Sequence, residues 1–216
     1  MSDQHYNYFL WLLIIIDITL LIFSLVFCFK DFNPVYMRSF PIYCLVNVIV
    51  ELLTKLFPSI KGTDYNIFTL FELLYFSYFL FKLIESKITK RVVQILNSFF
   101  IFYFIVSIIK NGVNISSTPF VLFESIILII PCIIYFKELF KKLNIVNIRR
   151  EPSFWMVTGI LFYFFILIPT ILLSAYYYYQ NMNDVAGSLY AISNYSQLIS
   201  YVLFIIAMTC RRKELY

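Results

Sequence analysis

Residues 154–176 read FWMVTGILFYFFILIPTILLSAY, twenty-three positions without a charged side chain. A helix rises about 1.5 Å per residue, so the run reaches across a hydrocarbon core about 30 Å thick. A soluble core helix of that length shows a polar face, and this one shows none. The rest of the chain agrees. Of 216 residues, 62% are hydrophobic and 13% charged, with 25 phenylalanines, 18 tyrosines and four glycines. The mean hydropathy is +0.84. A soluble surface needs about a quarter charged residues, so much of this chain faces a solvent other than water. A disordered chain, a disulfide-stapled secreted module and a soluble enzyme are excluded.

Working outward in both directions gives six further apolar runs, and the seven spans are expected at 8–29, 41–57, 67–83, 92–109, 118–136, 154–176 and 189–209. An all-α, seven-helix membrane bundle in a single domain is therefore expected. Breaks fall at Asn33-Pro34, Pro41, Pro58, Lys61-Gly62, Asn111-Gly112 and Glu151-Pro152, where proline and glycine interrupt helices. With seven spans, fourteen of the seventeen lysines and arginines fall on one side: the loops after the first, third and fifth spans and the tail Arg211, Arg212 and Lys213. Short basic loops stay on the cytoplasmic side, so the N-terminus is expected outside and the C-terminus in the cytoplasm. Met1 to His5 carries neither a basic leader region nor a cleavage pattern, and the first span is expected to be retained. Asn114-Ile115-Ser116 matches a glycosylation sequon on the outer side. All four cysteines lie within or at the ends of spans, which suggests no disulfide framework.

Ionisable groups inside spans are costly, at about 2.5 to 3.5 kcal/mol each at mid-membrane, and they mark sites. Asp17, Glu51, Lys55, Glu72 and Glu124 are such groups, and counting down each span places the four acids in the outer half. Asn194 and Gln197 join the same layer. Helical spacing supports a common lining: Cys44, Asn47, Glu51 and Lys55 share one face, as do Tyr190, Asn194, Gln197 and Tyr201. Glu51 and Lys55 stand four apart with the acid first, the favourable order for a pair. An acid-lined pocket for a ligand or ion, open to the outside, is expected from Asp17, Asn47, Glu51, Lys55, Glu72, Glu124, Asn194 and Gln197. The fourth span is nearly devoid of polar residues at that level and is expected at the periphery. Leu70-Phe71-Glu72 recurs 52 residues later as Leu122-Phe123-Glu124, a pattern that a two-helix repeat would generate.

The only histidine is His5, so clustered-histidine zinc chemistry has no ligands, and no Gly-rich phosphate loop or nucleophile–histidine pair exists. No catalytic residue, cofactor or nucleic-acid partner is expected. A carboxylate-only site for calcium, magnesium or manganese stays open. Besides the bilayer, a cytoplasmic signalling partner at the basic inner loops is the expected contact.

The run from Asn66 to Tyr75, Leu122 to Ser125, Pro152-Ser153-Phe154-Trp155 with Gly159 and Tyr163, and Asn194 resemble a group of small seven-span membrane proteins of Bacteroidota that has no settled activity. The resemblance implies a bacterial inner-membrane location and a sensory or accessory role. Three activities are compatible with the residues: a sensor or receptor-like binding protein, a cation- or proton-coupled transporter, and a carboxylate-dependent intramembrane enzyme acting on a lipid-linked substrate. A structural or assembly subunit is the fourth reading.

Overall fold

The structure, a computed structural model, describes residues 3–28, 35–57, 61–112, 117–141 and 148–210. The Asn33-Pro34 and Pro58 breaks, the Asn114-Ile115-Ser116 sequon, Lys30, Lys142 and the basic tail lie outside the described residues. Seven α-helices follow in order: α1 (Asp3–Phe27), α2 (Phe40–Leu56), α3 (Lys61–Leu83), α4 (Lys87–Asn111), α5 (Thr118–Lys141), α6 (Pro152–Tyr179) and α7 (Asn183–Thr209). Two short 3-10 turns, Val35–Ser39 and Ile148–Arg150, lead into α2 and α6, and no strand occurs among the described residues. Six helices are long and apolar enough to cross a membrane; in α1 the apolar part is Trp11–Phe27. The chain is thus a multi-pass helical membrane protein.

Local chemistry sets the helix ends. Pro41 and Pro152 occupy first-turn positions, where the missing N–H costs nothing. The Ser86 hydroxyl accepts the Thr89 amide at 3.3 Å to cap α4, and Gly112 ends the same helix with φ +77°. Between α6 and α7 the chain turns within Gln180–Met182, with Asn181 in the left-handed region at φ 60°. Asparagine is among the residues that tolerate this conformation.

The helices close into a ring in the order α1, α2, α3, α5, α6, α7 and back to α1, while α4 lies outside against α3 and α5. The most extensive contact joins α6 and α7. There Gly159 lets the backbones approach, and the Ser200 hydroxyl donates to the Gly159 carbonyl at 2.9 Å. Small residues at a helix–helix contact are the usual device for close packing in lipid, where the hydrophobic effect does not hold helices together. Only 17% of the apolar window of α4 is buried, against 50% for α3. The scarcity of polar residues at the outer level of the fourth span has its counterpart in this peripheral position.

Helices consecutive in the chain run in opposite directions. Bonds tie the end of α5 to the starts of α4 and α6: Glu138 accepts the backbone amides of Glu85 (2.8 Å) and Ser86 (3.1 Å), and the Tyr135 hydroxyl donates to Ser153 (2.8 Å). Cys210, after α7, reaches the Arg149 carbonyl at 3.6 Å. At the opposite end the Ser174 hydroxyl of α6 donates to the Ala186 carbonyl of α7 at 3.1 Å. The first of these ends carries Arg38, Lys82, Lys87, Lys90, Arg91, Lys137, Lys141, Arg149 and Arg150, whereas Lys55 and Lys110 lie at the other. Tyr176, Tyr178 and Tyr179 are exposed where α6 ends, as interfacial tyrosines are.

Candidate functional site

Every helix except α2 is longer than its expected span, and α1, α3 and α7 gain most at the end opposite the basic one. Counted along the whole helices, the central polar residues stand out. Asp17 is the fifteenth of the 25 residues of α1, Asn47 the eighth of 17 in α2, Glu72 the twelfth of 23 in α3, and Gln197 the fifteenth of 27 in α7. All four stand at the middle of their helices, facing the interior of the ring.

Two clusters form there. In the first, the Asn47 amide donates to Asp17 Oδ1 at 2.9 Å and to the Tyr201 phenol at 2.9 Å. Gln197 also donates to that phenol, and Tyr201 is hydrogen-bonded to Asp17. The phenol accepts from two amides, which leaves its own proton for the Asp17 carboxylate and uses its full bonding capacity. Helices α1, α2 and α7 are joined through one oxygen. In the second cluster the Tyr43 phenol of α2 donates to Glu72 Oε1 of α3 at 2.6 Å. The Tyr43 ring is held by Tyr75 and Phe76, with centroids 5.1 and 4.8 Å away, so the donor is fixed in direction.

A cavity of about 30 Å³ lies between the clusters. Its polar lining is Tyr43, Glu72, Tyr163, Gln197, Ser200 and Tyr201, from four helices of the ring, and phenylalanines and Ile160 form the rest. That volume holds one or two water molecules, or an ion of similar size, and excludes an organic ligand. Both phenols that bond the carboxylates face it. The arrangement is suited to binding a small polar or cationic species and to holding a proton at a defined oxygen.

The other expected site residues divide. Glu124, 1% exposed on α5, interacts electrostatically with Glu72, and its Oε1 has no hydrogen-bond partner. Glu51, half-buried, interacts electrostatically with Asp17. Lys55 sits over the Trp11 ring, 3.3 Å from its centroid, and its ammonium makes no hydrogen bond. A cation–π contact of that kind competes with the i, i+4 pairing that the spacing suggested. Asn194 is half-buried and outside the cavity lining. Tyr43, Tyr163, Ser200 and Tyr201 line the cavity without having been counted as site residues. The signal for Tyr43 was its position one helical turn before Asn47; Ser200 lies three residues after Gln197.

Among the described residues no three His, Cys, Asp or Glu side chains come together as a metal-ion group. The structure therefore offers carboxylates and phenols in pairs rather than a preformed cage for a hard divalent ion. Comparison of the chain with protein-family models, with curated proteins and with solved structures finds no match in any of the three.

Proposed function

We propose that the chain is a sensor or receptor-like accessory protein of a bacterial inner membrane, in which occupancy of the central cavity biases the packing of the six-helix ring. In this reading it has seven spans, its N-terminus is outside, and its basic end faces the cytoplasm and meets a signalling partner. The supporting observation is the convergence of the phenols of two tyrosine–carboxylate pairs, Tyr201–Asp17 and Tyr43–Glu72, on one cavity. Four helices contribute a polar group to it, so whatever it holds touches most of the ring at once. A ligand that interacts differently with two packings shifts their populations by that difference.

Towards the basic end the interior is closed by Phe40, Phe79, Leu80, Met156, Val157 and Met208, each no more than 1% exposed. A conduit would need polar groups along that stretch, and this favours a receptor over a transporter. Transport is the second reading, and the succession Asp17, Tyr201, cavity, Glu72 favours it, because such a chain of groups can relay a proton.

Protein reconstituted in liposomes should discharge neither a proton nor a sodium gradient. Asp17→Asn and Glu72→Gln should each change hydrogen exchange at the basic end, in residues 84–91 and 148–156. Gradient discharge that depends on Glu72 would replace the receptor with the transporter, and identical exchange in both variants and wild type would overturn the receptor reading. A reporter fused to the C-terminus should register the cytoplasm; an external signal would overturn the orientation.

A further inference from the structure

Glu124 is not explained by the hydrogen-bonded clusters. It lies on α5, the helix that packs against α3 on one side and α6 on the other. Its side chain is almost fully buried, and one carboxylate oxygen finds no donor. Glu72, across on α3, is also buried and has a single donor, Tyr43. Tyr163 of α6 interacts electrostatically with both acids and lines the cavity. On α4, Tyr103 packs on Phe120 and Phe123, one turn or less from Glu124 in sequence, and offers a ring there. Lys55, in the last turn of α2, is committed to Trp11 of α1. This corner thus holds two carboxyl groups, the phenols of Tyr43 and Tyr163, and no basic side chain.

Two carboxylates in a low-dielectric interior repel each other, and each loses the hydration that stabilised its charge. One added positive charge removes the repulsion and leaves a single negative charge spread over the two groups. We propose that the corner between α3, α5 and α6 binds a single positive charge shared by Glu72 and Glu124, delivered as a proton or as an alkali-metal ion, and that this charge is the ligand of the central cavity. Glu72, Tyr43 and Tyr163 line the cavity, whose volume of about 30 Å³ admits a bare ion with a water or a hydrated proton, and Glu124 stands outside that lining. The carboxyl and phenol oxygens are hard donors suited to a proton or an alkali-metal ion. The inference rests on the receptor reading and gives its stimulus a chemical class.

The test is thermal unfolding of the full chain in nanodiscs with N-methylglucamine as the only other cation. In one arm the pH is lowered; in the other, sodium, potassium or lithium is added at alkaline pH. Wild type should gain stability saturably in at least one arm, and Glu124→Gln should lose that response. A response to acid alone assigns the proton, and a response to one alkali ion at constant pH assigns that ion. Equal responses in wild type and Glu124→Gln, or none in wild type, would overturn the proposal. Infrared difference spectra of wild type, acid minus alkaline, read the protonated carboxyl band directly, so the proton arm is decided even where the variant does not fold. The receptor reading fails separately: exchange at the basic end that changes in Asp17→Asn sustains it even when no cation response exists.

Discussion

One methyl group added at Gly159 tests both the packing and the cavity. A Cβ built there would stand 2.6 Å from Phe204 Cε1, 3.0 Å from Cδ1 and 3.2 Å from the Ser200 carbonyl oxygen. Non-bonded carbons prefer about 3.5 to 4.0 Å, so the Phe204 ring must retreat by about 1 Å. Phe40 meets that ring edge-on at 5.4 Å, and Phe76 and Tyr201 lie at 6.3 and 6.4 Å. The open direction is the cavity, which Phe204 lines. A ring displaced by about 1 Å sweeps roughly 25 Å³, comparable with the whole cavity. Overpacking costs about 1–3 kcal/mol, and alanine recovers about 1 kcal/mol of helix propensity over glycine. Gly159→Ala should therefore unfold about 1 kcal/mol more easily than wild type in detergent titrations, while losing most of its response to cations. A variant more stable than wild type with the response intact would refute both the close approach of α6 to α7 and the assignment of the cavity.

Two further substitutions separate the polar cluster from the scaffold. Tyr201→Phe removes the oxygen that joins Asn47, Gln197 and Asp17. Two of these bonds cross between helices, and at about 0.6 kcal/mol each in lipid the loss should be about 1 kcal/mol, with non-additive loss in a double-mutant cycle with Asn47→Val. Glu138→Ala takes away the carboxylate that accepts the Glu85 and Ser86 amides, and exchange at those two amides should accelerate about tenfold or more, with the unfolding midpoint little changed. Exchange at the wild-type rate would mean that the turn between α3 and α4 is held by other bonds.

The spans were legible because hydropathy measures what lipid demands. The helix ends were less so. Hydropathy falls over Lys61–Asn66 and Asn183–Ser188, yet helical hydrogen bonding continues through those residues. Counted along the whole helix, Glu72 and Gln197 therefore stand at mid-helix. Which residues share a helical face was also legible: Asn47 and the stripe of Gln197 and Tyr201 do meet. The order of the ring was not, because the periodicity of one helix does not specify its neighbours. Only the repeated Leu-Phe-Glu of α3 and α5 hinted that these helices occupy equivalent positions, and they pack together with both glutamates in one corner. Lys55 shows the limit of spacing rules. Its partner is set by the Trp11 ring of another helix, which no local pattern contains.

The energetics of the interior favour a site over a scaffold. Asp17, Glu72 and Glu124 each carry an insertion cost of about 2.5 to 3.5 kcal/mol, roughly 9 kcal/mol together. The interhelical bonds Asn47–Asp17, Asn47–Tyr201, Tyr201–Asp17 and Tyr43–Glu72 return about 2 kcal/mol at the average measured for such bonds in membranes. Most of the insertion cost is therefore left over. One positive charge held between Glu72 and Glu124 removes their mutual repulsion and the cost of one of the two acids. On this argument the bound charge belongs to the folded ring, and its departure is the event that leaves the ring free to repack. Substitution of both glutamates by glutamine should accordingly yield a ring as stable as the occupied wild type and indifferent to cations. A double variant that still responded would locate the charge elsewhere.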